Sequence, residues 1–319
     1  MSAEGTLGRS IILGVVGDSA AGKTTLTRGL VRVLGEDNVT HVCVDDYHRY
    51  DRRQRAERNI TPLHPDCNYM DIMTQQLAHL RNADPFLKPV YQHHDGTFGP
   101  LVRIDPKRFS VVEGLLGYYS EELRSLFDVR VFLAPPEELR RKWKVQRDCS
   151  RRGYTTDQVL SELDRREADS EAFIRPQRRH ADIVVSFLPN SFGDQEHLDA
   201  ELVLRTTLKH PDFRSVLDGE VDASGGIKIT QHGDEVHLQI PGRLERERAE
   251  AIEEMIWSGL HFASHLRSER LGQFTIGTDL HRSESLALIQ LLILYHLFTA
   301  TASAALDGVG APRAEHAPV

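Results

Sequence analysis

Apolar residues follow two periods along this chain, and the change between them marks its elements. Ser10–Gly17 (SIILGVVG) is a short apolar run closed by glycine, which predicts a buried strand. Thr24–Leu34 then reads as a helix. Val39–Val44 predicts a second strand, ending at the acidic pair Asp45 and Asp46. Tyr69–Asn82 has helical apolar spacing. Phe109–Glu113 and Val129–Leu133 predict two more strands, with Pro135 and Pro136 at the end of the second marking a helix start. Glu137–Cys149 reads as a basic helix, Asp157–Phe173 as another helix ended near Pro176, and Ala181–Phe187 as a fifth strand.

Continuous apolar strands alternating with helices predict an α/β fold with a parallel sheet covered on both faces. Ligands of such folds bind beyond the carboxyl ends of the strands. The pattern changes near residue 190. Glu201–Leu208 and Ile227–Ile240 alternate with period two, Gln231–Glu235 reads as a hairpin turn, and Arg243–Ser268 predicts a long helix. The expected organisation is an α/β unit over 8–190, a smaller α+β extension over 191–306 packed on its sheet, and a loose tail over 307–319.

Composition narrows the function classes. The chain has 319 residues, 40% hydrophobic and 27% charged, enough apolar material for a real core. A formal net charge of -8 argues against general nucleic-acid affinity. From Ser191 onward there are 11 Lys+Arg against 20 Asp+Glu, so the earlier part is near neutral and can hold a local basic site. Cys43, Cys67 and Cys149 form no CxxC pair, which suits a reducing, cytoplasmic compartment. The first ten residues are too short and polar for a secretory signal. The apolar run Leu286–Leu306 is interrupted by Gln290 and His296 and reads as a buried helix, not a membrane span. It could also form a dimer seam; a homo-oligomer, with a dimer favoured, is expected.

The sharpest motif is Gly17-Asp18-Ser19-Ala20-Ala21-Gly22-Lys23-Thr24, the GxxxxGK[ST] phosphate loop, here between a strand and a helix and followed by Thr25. Its glycines let backbone N–H groups wrap ATP phosphates, helped by the helix N-terminus. Lys23 would reach the β- and γ-phosphates and Thr24 would ligate Mg²⁺. Glu113 closes a buried strand, a costly place for a charge unless it serves the metal. Asp45 or Asp46 could orient an acceptor hydroxyl and take its proton. His48, Arg49, Arg52 and Arg53 follow closely and suggest an acceptor that already carries a phosphate. Lys144, Arg147 and Arg151 share one helix face and could act as a lid over the transferring phosphoryl group. Tyr91 and His93 would contact acceptor hydroxyls, although their spacing also fits a plain loop. Adjacent His93 and His94 have no third ligand at metal spacing.

In this order, these segments resemble the phosphoribulokinase/uridine kinase family over roughly residues 10–190. DDYHRYDR, ITPLHPDCNYMDIM, KPVYQHHDG, VVEGLLGYY, WKVQRDCSRRGYT and RPQRRHADIVV are similar to the phosphoribulokinase branch. The resemblance implies an ATP- and Mg²⁺-dependent enzyme converting ribulose 5-phosphate to ribulose 1,5-bisphosphate. It implies Asp45 as the base, Glu113 as the metal-linked carboxylate, and His48 and Arg52 at the sugar phosphate with Tyr91 and His93 nearby. It ties Lys144, Arg147, Asp148 and Arg152 to catalysis and the lid, with Asp148 orienting either the basic groups or the metal. One basic position of some family members lacks a clear match, and Arg53, Arg55 and Arg58 are the alternatives. Ala20 and Ala21 stand where plant members carry a redox-switch cysteine, so oxidation is not expected to switch activity.

Two other readings compete. A kinase for an uncharged nucleoside would have no need of the basic cluster beside the carboxylates. A non-catalytic nucleotide-binding regulator would have no need to keep Asp45, Glu113 and the Arg147–Arg152 segment together.

Overall fold

The phosphate loop opens on the second turn of the chain because strand β1 (Ile11–Gly17) is buried along its whole length and must stop where the glycine bends away. The computed structural model describes residues 8–190, 193, 196–213, 226–260, 270–276 and 279–307. After β1 come helix α1 (Lys23–Leu34), strand β2 (Val39–Cys43), helix α2 (Arg52–Glu57) and helix α3 (Met70–Arg81). Four short strands follow: β3 (Phe86–Lys88), β4 (Tyr91–Gln92), β5 (Thr97–Phe98) and β6 (Val102–Ile104). They pair as two small antiparallel ribbons, β3 with β6 and β4 with β5. The chain continues through β7 (Phe109–Gly114), helix α4 (Glu121–Arg124), β8 (Val129–Leu133), α5 (Glu137–Arg152), α6 (Thr156–Asp169) and β9 (Ile183–Leu188).

Strands β2, β7, β1, β8 and β9 are parallel neighbours in that order. Beyond β9 the sheet turns antiparallel. Strands β10 (Asp199–Arg205), β11 (Lys228–His232) and β12 (Glu235–Ile240) extend it in the order β9-β10-β12-β11. The C-terminal strands therefore continue the same sheet. A final ribbon, β13 (Gln273–Ile276) and β14 (Asp279–Arg282), stands apart.

The parallel strands β1, β7, β8 and β9 are buried on both faces, as largely apolar central strands require, whereas the edge strand β11 is exposed. Ile11, Leu13 and Val15 face α1 and the last helix, while Ile12 and Val16 face Met73, Leu77 and Leu80 of α3. The last helix, Glu284–Asp307, is long and apolar enough to cross a membrane by composition. Most of it is buried among core residues of β1, β8 and α1, so it is an element of this chain's core. The sequence places one long helix over Arg243–Ser268; the structure shows Arg246–Ser258, ended by a turn at Gly259 and Leu260. Residues 261–269 lie outside the described residues, as does the expected tail beyond Asp307. The helix expected over Asp157–Phe173 is α6 as far as Asp169, followed by a wider π-helical turn over Ser170–Ile174.

Gln290, wholly buried in the last helix, docks the C-terminal part on α1. Its Nε2 donates to the Leu26 carbonyl at 3.2 Å, and its Oε1 accepts from the Gly272 amide at 2.8 Å. The close approach needs Gly29, where an added Cβ would overlap the Gln290 amide. Gly29→Ala should therefore cost about 1–3 kcal/mol by overpacking. An unchanged urea midpoint would show that Gln290 can withdraw freely.

Candidate active site

The phosphate loop joins β1 to α1. Ala20 (φ 66°) and Gly22 (φ 95°) take left-handed conformations that let the loop curl back on itself. No side chain caps α1, so its first N–H groups form an anion site. Lys23 Nζ donates to the carbonyls of Gly17 and Asp18 at 2.8 and 2.9 Å. Burial lowers the Lys23 ammonium from its ordinary value, while Asp45, Glu113 and Asp18 act to restore it. Helix α5 crosses above. Arg140 donates to the Ser19 carbonyl at 3.1 Å, and Arg147 reaches the Ser19 hydroxyl at 3.4 Å.

By residue type alone Asp45 and Asp46 are alternatives, the family resemblance implies Asp45, and their surroundings differ. Asp46 is held by the Lys88 ammonium and by the Tyr91 amide at 3.0 Å, which ties the ribbon containing Tyr91 to the end of β2. Asp45 accepts the Leu115 amide on Oδ1 at 3.0 Å, and its Oδ2 takes no hydrogen bond from the described residues. Burial raises the Asp45 carboxyl from its ordinary value, against the lowering effect of Lys23 and the Leu115 amide. Asp45 is thus the carboxylate with an acceptor oxygen to spare.

Glu113, 7% exposed at the end of β7, receives Thr24 Oγ1 at 3.4 Å, Thr27 Oγ1 at 3.3 Å and His41 Nε2 at 3.2 Å. Burial pushes its carboxyl up, but His41, Lys23 and Thr27 together hold it below the usual value. A hydroxyl and a carboxylate, both hard oxygen donors, are brought together at Thr24 and Glu113. That donor set fits Mg²⁺, which usually takes few protein ligands beside phosphate oxygens and water.

Across from the phosphate loop lies a basic wall. Asp51 and Gln54 form a reciprocal cap that starts α2 at Arg52. One turn on, Arg55 is buried. It donates to the Tyr91 hydroxyl at 2.5 Å and the Tyr50 carbonyl at 2.8 Å, with its guanidinium over the Tyr91 ring. Arg52 is exposed and donates to the His93 carbonyl at 2.6 Å. Arg53, expected from the sequence at the acceptor, instead points to solvent: its side chain is 84% exposed and pairs with Glu57. The reason is helical phase, since Arg52 and Arg55 share a face that Arg53 does not. Arg58 stacks on Tyr50, and Arg49 on Tyr69.

His48 is buried, and its Nδ1 meets Asn68 Oδ1 at 2.8 Å. Asn68 Nδ2 donates to the carbonyls of Pro62 and His64, so Oδ1 is the atom turned to His48 and Nδ1 carries the hydrogen. Burial, reinforced by Arg55, pushes the imidazole down to about 3. His48 is therefore neutral, with an acceptor Nε2. That suits a hydroxyl better than an anion and leaves phosphate charge to the guanidinium groups. His93 is lowered as well, by burial and by Arg152. It packs edge-on to Tyr91.

The unfolded chain binds a proton at His48 near pH 6.5, but the folded chain does not until about pH 3. Stability should therefore fall as pH drops below 6.5, by about 2 kcal/mol between pH 7 and pH 5 from this group. Urea midpoints at the two pH values should differ less in His48→Gln, and an equal difference would show that His48 is not the source.

Asp148 is the hub of α5. It is 3% exposed and receives Lys144 Nζ at 2.5 Å, Arg147 Nε at 2.8 Å and Arg152 Nη1 at 3.4 Å. Lys144 is itself buried, its ammonium brought down to about 8 by burial and by Arg147. It lines a small cavity with Asp18, Ser19 and Arg140, on the phosphate-loop side. The Arg151 side chain lies outside the described residues. Arg166 was missed by the sequence reading. Its guanidinium bonds Glu162 and contributes to the field at His48, Lys144 and Arg152. It continues the buried stripe of Val159 and Leu163 on α6, and an arginine prolonging an apolar stripe is the signal that could have found it.

All three cysteines are free. Burial raises the Cys43 thiol, and that of Cys67 to about 11, so both are thiols at neutral pH. His93 and His94 belong to no metal cluster: among the described residues no group of three His, Cys, Asp or Glu is arranged to hold a metal ion.

A phosphate loop at the end of a parallel sheet, a buried acid closing the adjacent strand and a basic helix above define a kinase-type P-loop fold. The chain belongs to the phosphoribulokinase/uridine kinase family, whose profile matches residues 12–192. It is 39% identical over 183 residues to a phosphoribulokinase of Synechocystis sp., covering 57% of this chain and 55% of that one, so the chain spans about half the length of that relative. It is 29% identical to a chloroplastic phosphoribulokinase of Chlamydomonas reinhardtii over 80% of this chain and 77% of the relative. It is also 33% identical to a uridine kinase of Chlamydia pneumoniae over 55% of this chain and 81% of that protein. Among solved structures, the phosphoribulokinase from Rhodobacter spheroides superposes with a TM-score of 0.59 at 18% identity, covering 82% of this chain and 99% of that one, a likeness of fold.

Proposed function

We propose that the protein transfers the γ-phosphate of ATP to a hydroxyl of ribulose 5-phosphate, giving ADP and ribulose 1,5-bisphosphate. The observation that carries this reading is the pairing of Asp45, a half-buried carboxylate with an unengaged oxygen, with a basic wall of Arg55, Arg52 and neutral His48 beside it. An acceptor bearing both hydroxyls and a phosphate matches that wall, and an uncharged nucleoside does not. The similarity of the chain to phosphoribulokinases supports it.

In this reading the loop Gly17–Thr25 wraps the triphosphate and Lys23 leaves its carbonyl partners for phosphate oxygens. Asp45 takes the proton of the acceptor hydroxyl, whose oxygen attacks the γ-phosphorus as the bond to the ADP oxygen breaks. Lys23, close enough to perturb Asp45, opposes the rise that burial imposes on its carboxyl. Arg147 and Arg152, aligned by Asp148, offset the charge developing on the transferred group. Mg²⁺ bound through Thr24 and Glu113 would neutralise phosphate charge. His48 Nε2 and Tyr91 orient sugar hydroxyls, and Arg55 and Arg52 hold the sugar phosphate. Residues 8–190 carry all of these groups, and the segment 191–306 supports them through β10 and the last helix.

The test is ADP release with Mg-ATP and ribulose 5-phosphate, beside uridine and no acceptor. Release dependent on ribulose 5-phosphate is expected, and release with uridine alone would overturn the acceptor assignment. Arg55→Met should raise the KM for ribulose 5-phosphate by about tenfold or more, the effect of losing a hydrogen bond to a charged group. Arg53→Ala should leave it nearly unchanged. The reverse ranking would remove Arg55 from the acceptor site.

A further inference from the structure

Two adjacent residues, Asp169 and Ser170, each hold a different loop of the site. Ser170 is 2% exposed and opens the π-helical turn after α6. Its hydroxyl donates to Asp18 Oδ2 of the phosphate loop at 2.5 Å, and Arg175 Nε lies 3.8 Å from the same oxygen. One residue back, Asp169 Oδ2 accepts the Thr61 hydroxyl at 2.5 Å. Thr61 is itself 6% exposed and receives the Leu63 amide at 3.1 Å. The loop so fixed carries Pro62 and His64, whose carbonyls anchor the Asn68 amide, and Asn68 sets the tautomer of His48. Hydrogen bonds thus leave each side of the 169–170 peptide: directly to the phosphate loop in one direction, and in the other to Thr61, whose loop backbone holds the Asn68 that meets His48.

Consecutive residues on a helix point about 100° apart, so one backbone step can serve two loops that are far apart in sequence. The π turn begins at this step, and such turns often mark functional positions inside helices. Nothing in helix propensity asks for an Asp-Ser pair here. Both side chains favour caps and turns over helix interiors, and these two are used instead to reach across to neighbouring loops.

We propose that Asp169 and Ser170 are positioning residues that form a two-sided strut, setting the acceptor loop and the nucleotide loop in register so that filling one site improves the other. This rests on the reading of the site as a kinase for ribulose 5-phosphate, but half of it does not depend on the acceptor. Binding that orders one end of the strut lowers the cost of ordering the other, and the coupling is reciprocal.

The experiment uses Ser170→Ala, Thr61→Val and the conservative Thr61→Ser in the full chain. Calorimetry follows a non-hydrolysable ATP analogue with and without ribulose 5-phosphate. Ser170→Ala should weaken the analogue by about fivefold to tenfold on its own, the loss of one hydrogen bond to a carboxylate. Thr61→Val should leave analogue binding alone unchanged and raise the KM for ribulose 5-phosphate by a similar factor, with Thr61→Ser restoring it. Both Ser170→Ala and Thr61→Val should abolish any gain in analogue affinity that the sugar phosphate gives the parent protein. Thermal unfolding is followed beside them. Variants that lose stability but keep both affinities and the coupling would make the pair merely structural and overturn the strut. A parent protein that binds the analogue but never turns over ribulose 5-phosphate would sink the acceptor reading alone, and the Ser170→Ala affinity would still decide the nucleotide side of the strut.

Discussion

Asp45→Asn is expected to lower kcat by about a thousandfold, within the 10²–10⁴ range of general-base catalysis, while ATP affinity stays within about twofold. The asparagine keeps the shape of the side chain and can still accept the Leu115 amide on its oxygen. What it loses is basicity at the atom facing the acceptor. Burial raises the Asp45 carboxyl above the ordinary carboxylate range, so activity should fall on the acid side at a pH higher than a free aspartate would give, and that limb should vanish in the variant. Asp46→Asn is the control. Asp46 is engaged with Lys88 and the Tyr91 amide, so its loss should appear as a raised acceptor KM and reduced stability. If Asp46→Asn stops turnover and Asp45→Asn does not, the two roles are exchanged.

The second large effect is expected from Asp148→Ala. Removing the carboxylate leaves Lys144, Arg147 and Arg152 facing one another without their common partner. Breaking a buried ion pair on one side costs about 3–5 kcal/mol, because the surviving charge stays desolvated. Lys144, already down to about 8 with Asp148 present, would lose its proton near neutral pH and so relieve part of that cost. The unfolding free energy should therefore fall by roughly 3 kcal/mol at pH 7, and kcat should fall about a hundredfold as Arg147 and Arg152 lose alignment. Urea unfolding and steady-state kinetics on the same preparation test both. Unchanged kcat despite lower stability would show that the arginines reach the phosphoryl group without Asp148.

The acceptor side gives the clearest case of a sequence reading corrected by packing. The segment His48–Arg53 announces a basic site, but the residue that enters it most deeply is Arg55. The cap formed by Asp51 and Gln54 fixes the phase of α2, and phase turns Arg53 outward. His48 is a similar case. Its proximity to arginines suggests an anion ligand, whereas its burial and the Asn68 contact make it a neutral acceptor.

Much of the fold was legible in advance because it rests on local rules. Strand β1 is an unbroken apolar run and the other parallel strands are mostly apolar, and the phosphate loop needs its glycines, lysine and threonine in sequence, so motif and context coincide. Asp45 and Glu113 could be named from the chain because each sits at or just beyond a strand end, where a parallel sheet opens to ligand, and Lys23 and Thr24 because they close the phosphate-loop motif at the start of α1. The tertiary structure alone decided the rest. The difference between the two carboxylates is tertiary: Lys88, more than forty positions away, occupies Asp46 and leaves Asp45 to the Leu115 amide. The links from Ser170 to Asp18 and from Asp169 to Thr61 span gaps of over a hundred residues. Gln290 in an otherwise apolar helix has a partner only because Gly29 leaves room for it. A one-dimensional pattern records which face a residue prefers and which turns the backbone can take. It does not record which distant polar group will meet a buried charge, and desolvation makes that meeting decide both the protonation state and the role of each side chain.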